Sequence, residues 1–332
     1  GLVEYPVPLL GTFPADYLDL PKEVLIAVIQ EQQKCLPIVN SVGHLMAKFI
    51  LFSNIQSTRP EEIIYGNELV MNARLADAAF LFEEDQKHSL ATNIEQLKSI
   101  TFQTILGSIY DKTIRIEKLA GIITQQIGGK ATDIARAATL CKADLTSQMV
   151  YEFPELQGTM GYYYANHDGE AKEVAIAIRE QYLPRFAQDA LPQSSAGICL
   201  AIADRIDTLV GLFAIGKIPT GEKDPFALKR QALAVLRIII EQQLPLDLQQ
   251  LNITAYNNYQ DKLHSPTCLP ELLDFFWERL RYWYLSTTGN AKVFAAVAAK
   301  APTKPLDFYQ RLLAVQVFQN LPEATNLAAA NK

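Results

Sequence analysis

The chain has 332 residues, 49% of them hydrophobic and 20% charged, with a formal net charge of −6. That balance excludes a disordered chain, and the length accommodates two or three packed units. A protein that coats polyanions in bulk carries excess positive charge, so any nucleic-acid contact has to be local.

Residues 2–13 read as extended, with Pro6 and Pro8 marking an edge or irregular strand. Pro21 suits the first position of a helix, and KEVLIAVIQEQQK places Val24, Leu25, Val28 and Ile29 on one face. Two short apolar runs, CLPIVN and LMAKFILFSN, predict a hairpin with His44 as a solvated turn residue. Pro60 opens a long helical pattern through about Glu84, in which Arg74 and Asp77 read as part of a solvated charged face. From Asn93 onward helical spacing dominates. Ile105, Ile109, Ile116, Leu119 and Ile123 fall near one face, and Gly128-Gly129 ends the run. The next helix is predicted over 133–150, ending before Phe153-Pro154.

The polar signals concentrate in 152–237. His167-Asp168 lies in a loop-like segment before a helix, and Asp204 and Asp207 interrupt an otherwise apolar helix. Polar groups among apolar faces have to find partners, which predicts a helical region with a polar centre. Arg205 is adjacent to Asp204, but neighbouring side chains on a helix diverge, so the partners of Asp204 and Asp207 are expected to be Lys or Arg from elsewhere. Helices are predicted at 171–181, 196–216 and 225–243, the last from Asp224 as cap and Pro225 in the first turn. Residues 244–268 read as a connection with short elements, 269–286 as an aromatic-rich helix, and helical segments near 291–299, 304–318 and 322–331 close the chain. The fold class is α+β, mainly α: a small α+β unit over 1–85, a helical domain over 86–243 and a helical tail over 244–332.

The four cysteines, Cys35, Cys141, Cys199 and Cys268, form no C-x-x-C pair and indicate neither a zinc knuckle nor a disulfide framework; reduced core thiols are expected. No apolar run suits a membrane span, and the opening GLVEYPVPLL lacks signal-peptide features. PTGEKDPFALKR lacks the spacing of a phosphate-binding P-loop and follows no strand. Even so, a helix start with Lys223 before it and Lys229, Arg230 and Arg237 along it suits RNA phosphate, against the plainer reading of a rigid loop with ordinary basic residues. FFWERLRYWY interleaves Arg279 and Arg281 with rings, as in a stacking platform for single-stranded bases, although aromatic residues at helical spacing are more often core.

Several blocks together carry a resemblance: LPKEVLIAVIQEQQKCLPIV (20–39), GNELVMNARLADAAFLFEED (66–85), LGSIYDKTIRIEKLAG (106–121), EFPELQGTMGYYYANHDGE (152–170), YLPRFAQDALP (182–192), ICLAIADRIDTLVGLFAIG (198–216), PTGEKDPFALKRQALAVLRI (219–238) and LPEATNLAAANK (321–332). In this order they resemble the bacterial glycyl-tRNA synthetase β-subunit family over nearly the whole chain. The resemblance implies a non-catalytic part of an ATP-dependent glycine–tRNA ligase, acting in tRNA docking and assembly, with no catalytic residue and no cofactor of its own. Glycine, ATP and Mg would belong to a separate α subunit in a cytoplasmic α2β2 assembly that binds glycine tRNA. The family's N-terminal and C-terminal anticodon-binding domains would lie outside this central piece.

The family also implies an HD-type helical domain, whose metal-binding form needs a His, a His-Asp pair and a later Asp. In one register Lys118 replaces the first His, Ala143-Asp144 replaces the pair, His167 is an additional His and Asp204 the final Asp. In another, His167-Asp168 is itself the pair and the first His has no source. A lysine ammonium repels a metal cation, so the implied site is degenerate and holds no metal. The alternative is an active HD-type phosphohydrolase on nucleotides, using Asp144, His167, Asp168 and Asp204.

Overall fold

The computed structural model describes residues 3–221, 223–263, 266–287, 290–319 and 321, so the helix expected over 322–331 lies outside the described residues. The protein is α+β and mainly helical, as its periodicities predict. Strand β1 (Val7–Thr12) is followed by α1 (Lys22–Ile26), which starts just after Pro21 and widens into a π-helical turn at Ala27–Gln32. Val24, Leu25, Val28 and Ile29 are all buried, as one face of a helix requires. Strands β2 (Leu36–Val39) and β3 (Leu45–Ser53) form the expected hairpin, whose turn is closed by Asn40 Oδ1 accepting from the amides of Val42 and His44. β3 is central and antiparallel to both neighbours. Pro8 and Pro37 therefore fall on edge strands, where a missing N–H is tolerated. Helix α2 (Pro60–Asp85) buries Met71, Leu75 and Ala78.

The next stretch departs from its helical reading. Residues 101–108 make a small hairpin, β4 (Thr101–Gln103) with β5 (Gly107–Ser108), and Ile105 is 54% exposed. Helix α3 (Ile109–Ile127) begins only where Ser108 Oγ accepts from the Asp111 amide at 3.1 Å and Asp111 Oδ2 accepts from the Ser108 amide at 3.0 Å. This capping box fixes the start more strongly than apolar spacing does. Gly128 ends α3 with φ +83°, as its glycines predict.

The single helix expected over 133–150 is two: α4 (Ala131–Leu140) and α5 (Gln148–Glu152), separated by a 3₁₀ turn at Ala143–Thr146. Ser147 caps α5 through the Val150 amide, and the Asp85 carboxylate accepts from the amides of Gln148 and Met149. Helix α6 (Thr159–His167) replaces the expected loop; its run of Gly, Tyr and Asn has no clear apolar period, and Asp168 stands at its C-cap. Helices α7 (Lys172–Glu180) and α8 (Ser195–Ala214) follow as predicted. α9 (Leu228–Glu241) starts three residues after Pro225, with Ala227 in the left-handed region at φ +53°. α10 (Leu248–Asn258) occupies the connection, followed by α11 (Cys268–Thr287), α12 (Ala291–Ala298) and α13 (Pro305–Phe318).

The chain divides into two compact units, Gly1–Asn93 with Ala143–Glu170 and Ile94–Lys142 with Ala171–Lys332. These differ from the sequence boundaries near 85 and 243. Ala143–Glu170 belongs with the sheet unit, tied by Tyr164 Oη donating to Asp85 at 2.8 Å and Tyr163 Oη donating to Glu23 at 2.8 Å. In the helical unit α8 is the axle: apolar around its circumference, it packs against α3, α4, α7, α9, α10 and α11. All four cysteines are buried, and among the described residues none is in a disulfide. Among the described residues no helix is long and apolar enough to cross a membrane.

Candidate nucleic-acid interface

The polar centre of the helical unit forms where α8 faces α3. Asp204 and Asp207, three residues apart on α8, meet Lys112 and Arg115, three residues apart on α3. Lys112 Nζ lies 2.7 Å from Asp204 Oδ1, 3.2 Å from Asp207 Oδ2 and 2.6 Å from Thr208 Oγ1. Arg115 grips Asp207 with two prongs, Nε to Oδ1 at 2.7 Å and Nη2 to Oδ2 at 3.1 Å. Lys142 Nζ reaches Asp204 Oδ2 at 2.8 Å. Three cations therefore face two carboxylates, and each cation also has an aromatic ring: Phe102 under Lys112 at 4.7 Å, Tyr259 under Arg115 at 4.0 Å and Tyr182 under Lys142 at 4.2 Å. Burial alone would raise the Asp204 carboxyl, but the ammonium groups of Lys112 and then Lys142 hold it well below the usual carboxylate range.

The partners of both aspartates thus come from other elements, as helix geometry requires. Arg205 points elsewhere, donating to the carbonyl oxygens of Gln181, Ala201, Tyr182 and Pro184 at 2.8, 2.8, 3.0 and 3.1 Å. Burial pushes its guanidinium down to about 10, so it stays charged at neutral pH. Lys112, Lys142 and Tyr259 were not singled out from the sequence. The available signal was the pair Lys112 and Arg115 at i,i+3 on the same face as Ile116 and Leu119, a spacing that mirrors Asp204 and Asp207.

The HD-type candidates are placed as follows. Lys118 is exposed on α3, and Asp204 sits in the centre just described. Asp144, His167 and Asp168 belong to the other unit. Asp144 is fully buried and accepts from the amides of Gly158 and Gly161, capping α6. His167 is exposed with Nδ1 3.6 Å from Asp168 Oδ1, and Asp168 Oδ2 accepts from the Leu90 amide at 2.6 Å. Among the described residues, no group of three or more His, Cys, Asp or Glu side chains is arranged to hold a metal ion.

A second arrangement lies on the surface of the helical unit. α9 and α11, with the segment around Pro184 and Phe186, enclose a groove of about 380 Å³. Lys229, Arg230 and Arg237 from α9 line it together with Arg279 and Tyr282 from α11. Two motifs about fifty positions apart therefore converge on one surface. Lys223 and Arg281 are exposed and are not part of its lining. Arg237 is largely committed, with Nε on Glu241 at 2.7 Å and Nη1 on the Ala187 carbonyl at 2.7 Å. Arg279 pairs with Glu278 at 2.8 Å and lies over the Tyr282 ring at 4.8 Å. Lys229 Nζ donates to the Gly221 carbonyl, a neutral partner, and Arg230 is exposed with no ion pair among the described residues.

The start of α9 is closed to an outside anion at its first amides. Asp224 accepts from Leu228 at 2.8 Å and Lys229 at 2.9 Å, so the protein's own carboxylate takes the place a phosphate would fill. Within FFWERLRYWY, Phe275, Phe276 and Tyr284 are core, and Trp283 stacks on Tyr309 with ring centroids 5.6 Å apart. Tyr282 is the 66% exposed ring.

Comparison with known proteins supplies the context. A family model described as glycyl-tRNA synthetase beta subunit matches residues 1–299. The chain is 52% identical over 332 residues to the glycine–tRNA ligase beta subunit of Coxiella burnetii (strain Dugway 5J108-111). It is 47% identical to that of Pseudomonas aeruginosa (strain UCBPP-PA14) and 48% to that of Edwardsiella ictaluri (strain 93-146). Each match covers 100% of this chain and 48% of the relative, so the chain spans about half the length of the curated relatives it matches.

Proposed function

Because the chain belongs to the glycyl-tRNA synthetase beta-subunit family, we propose that it serves as a non-catalytic tRNA-docking and assembly part of a glycine–tRNA ligase. Glycine, ATP and Mg²⁺ would be handled by a separate α subunit, with this chain contributing to a cytoplasmic α2β2 assembly on glycine tRNA. The observation that carries the docking reading is the convergence of Lys229, Arg230, Arg237 and Arg279 on one groove in a chain whose net charge is −6. A local cationic surface on an acidic protein is what a defined RNA contact requires. Lys223 would extend this surface, whereas Arg281 lies on the other side of α11 from Arg279 and would meet RNA only elsewhere.

The test is tRNA binding to the full chain across a salt series, wild type against Lys229→Glu with Arg230→Glu. Removing the two cation–phosphate pairs should flatten the slope of log K against log salt by about 1.4 to 1.8. An unchanged slope and affinity would leave a scaffold with its RNA contacts elsewhere. For the buried centre we infer a structural, metal-free role. A metal-dependent phosphohydrolase would need Asp204 as a ligand, and Lys112 and Lys142 take both its carboxylate oxygens. Metal analysis of the purified protein tests this, and one divalent ion per chain, lost with Asp204→Ala, would overturn it.

A further inference from the structure

We propose that the groove between α9 and α11 takes one unpaired nucleotide of an RNA strand, its base on Tyr282 and its flanking phosphates on Lys229 and Arg230. This rests on the docking reading and names what the surface docks. The floor is apolar, with Ala187, Leu233 and Ala234 between the cations. A duplex offers phosphates and sugars to such a surface, whereas an unstacked base offers an apolar face. The volume, about 380 Å³, is at the small end of single-ligand sites, suited to one base rather than a helix.

Tyr282 is placed for stacking. Tyr282 is 66% exposed as a residue although Arg279 lies over its ring, which leaves side-chain surface for a base, and the Arg279–Glu278 pair steadies the arrangement. The charges point the same way. Arg237 and Arg279 are matched by Glu241 and Glu278, which leaves Lys229 and Arg230 as the rim cations without a carboxylate partner among the described residues. Two such charges suit the two phosphates on either side of one nucleotide. A neighbouring hollow shares Lys229, Arg279 and Tyr282 with the groove and is also lined by Glu271, Asp274 and Glu278, whose carboxylates disfavour a strand running on that side and leave the side of Arg230 and Arg237 open to it.

The experiment uses the full chain and a short single-stranded RNA carrying 2-aminopurine, compared with a blunt duplex of the same sequence. Preferred binding of the single strand with quenched fluorescence is expected. Tyr282→Ala should weaken that binding roughly 5- to 150-fold and remove the quenching, while Tyr282→Trp retains both. Circular dichroism of the Ala variant controls for folding, and an exposed ring makes unfolding a poor explanation of the loss. Equal binding of strand and duplex overturns the proposal. So does an unchanged affinity in Tyr282→Ala while Lys229→Glu with Arg230→Glu still weakens tRNA binding, an outcome that leaves the docking reading standing. Charge reversal without effect on tRNA removes the docking reading itself.

Discussion

In the centre of the helical unit, Lys112, Arg115 and Lys142 are buried against Asp204 and Asp207, and each charge is met by an opposite charge or a ring. In the groove between α9 and α11 the same residue types sit at the surface, where Arg230 makes no ion pair among the described residues and Phe186 and Tyr282 are 59% and 66% exposed. The difference is one of satisfaction. Charges removed from water persist only when partners replace the lost hydration, and once replaced they have no valence left for a ligand. Charges at a rim stay hydrated until a partner arrives, so they are the ones that can bind. A cluster of ionisable residues in the core is thus weak grounds for a site, and a few incompletely paired cations beside exposed rings are stronger.

The comparison breaks most directly at Asp207. Asp207→Asn removes the anion held by Arg115 and Lys112 and strands buried positive charge, which should lower stability by about 3–5 kcal/mol. Urea unfolding reads this, and a loss under about 1 kcal/mol, the scale of an exposed pair, would show that water reaches the centre. Acid should act on the same network through Asp204. Its folded carboxyl is held below its unfolded value of about 3.9. That contribution is therefore complete above the unfolded value and is lost as pH falls below about 4 toward the folded one. Unfolding midpoints measured from pH 7 to pH 3 should drop through this window, and Asp204→Asn should flatten the drop. The Cys199 thiol, pushed by burial up to about 11, works at the other end: its contribution holds below about pH 9 and fades as pH rises toward 11.

Sequence and structure agree where one physical signal dominates. The face Val24, Leu25, Val28 and Ile29, the edge-strand prolines and the glycine at 128 were all readable, because burial, a missing N–H and a left-handed φ each leave a local mark. The hairpin at 101–108 was masked by Ile105 falling in helical register with Ile109, while the deciding hydrogen bonds at Ser108 and Asp111 are polar. α6 was unreadable for the opposite reason: its start is set by Asp144, fourteen residues before Gly158. At the candidate sites, the need of Asp204 and Asp207 for distant cations followed from helix geometry. Which cations answered, and that Lys229 and Tyr282 would share a groove, depend on the packing of α3, α8, α9 and α11 and have no local signature.

A smaller effect tests how rigidly the centre is held. Gly211 on α8 lies under Tyr259, whose hydroxyl donates to the Asp207 carbonyl at 2.8 Å. A Cβ at Gly211 would come within 2.2 Å of that hydroxyl and 2.9 Å of Leu106 Cδ1. Gly211→Ala should therefore push the ring off Arg115 and cost about 1–3 kcal/mol, the range for overpacking, in place of the gain alanine normally brings to a helix. A stabilised Gly211→Ala protein would mean that Tyr259 can move without disturbing the Arg115–Asp207 pair.

The least effect on stability is expected at the rim, and there it is most informative. Arg230→Glu alters an exposed residue with no ion pair among the described residues, so the unfolding midpoint should stay within about 0.5 kcal/mol of wild type. Because the side chain is exposed and makes no ion pair among the described residues, a change in RNA affinity or in its salt slope without a change in stability belongs to the bound state. Asp207→Asn should do the reverse, lowering stability while leaving the salt slope of the surviving folded protein intact. If Arg230→Glu instead destabilised the chain as Asp207→Asn does, the rim would be part of the core's charge network and the distinction between the two regions would fail.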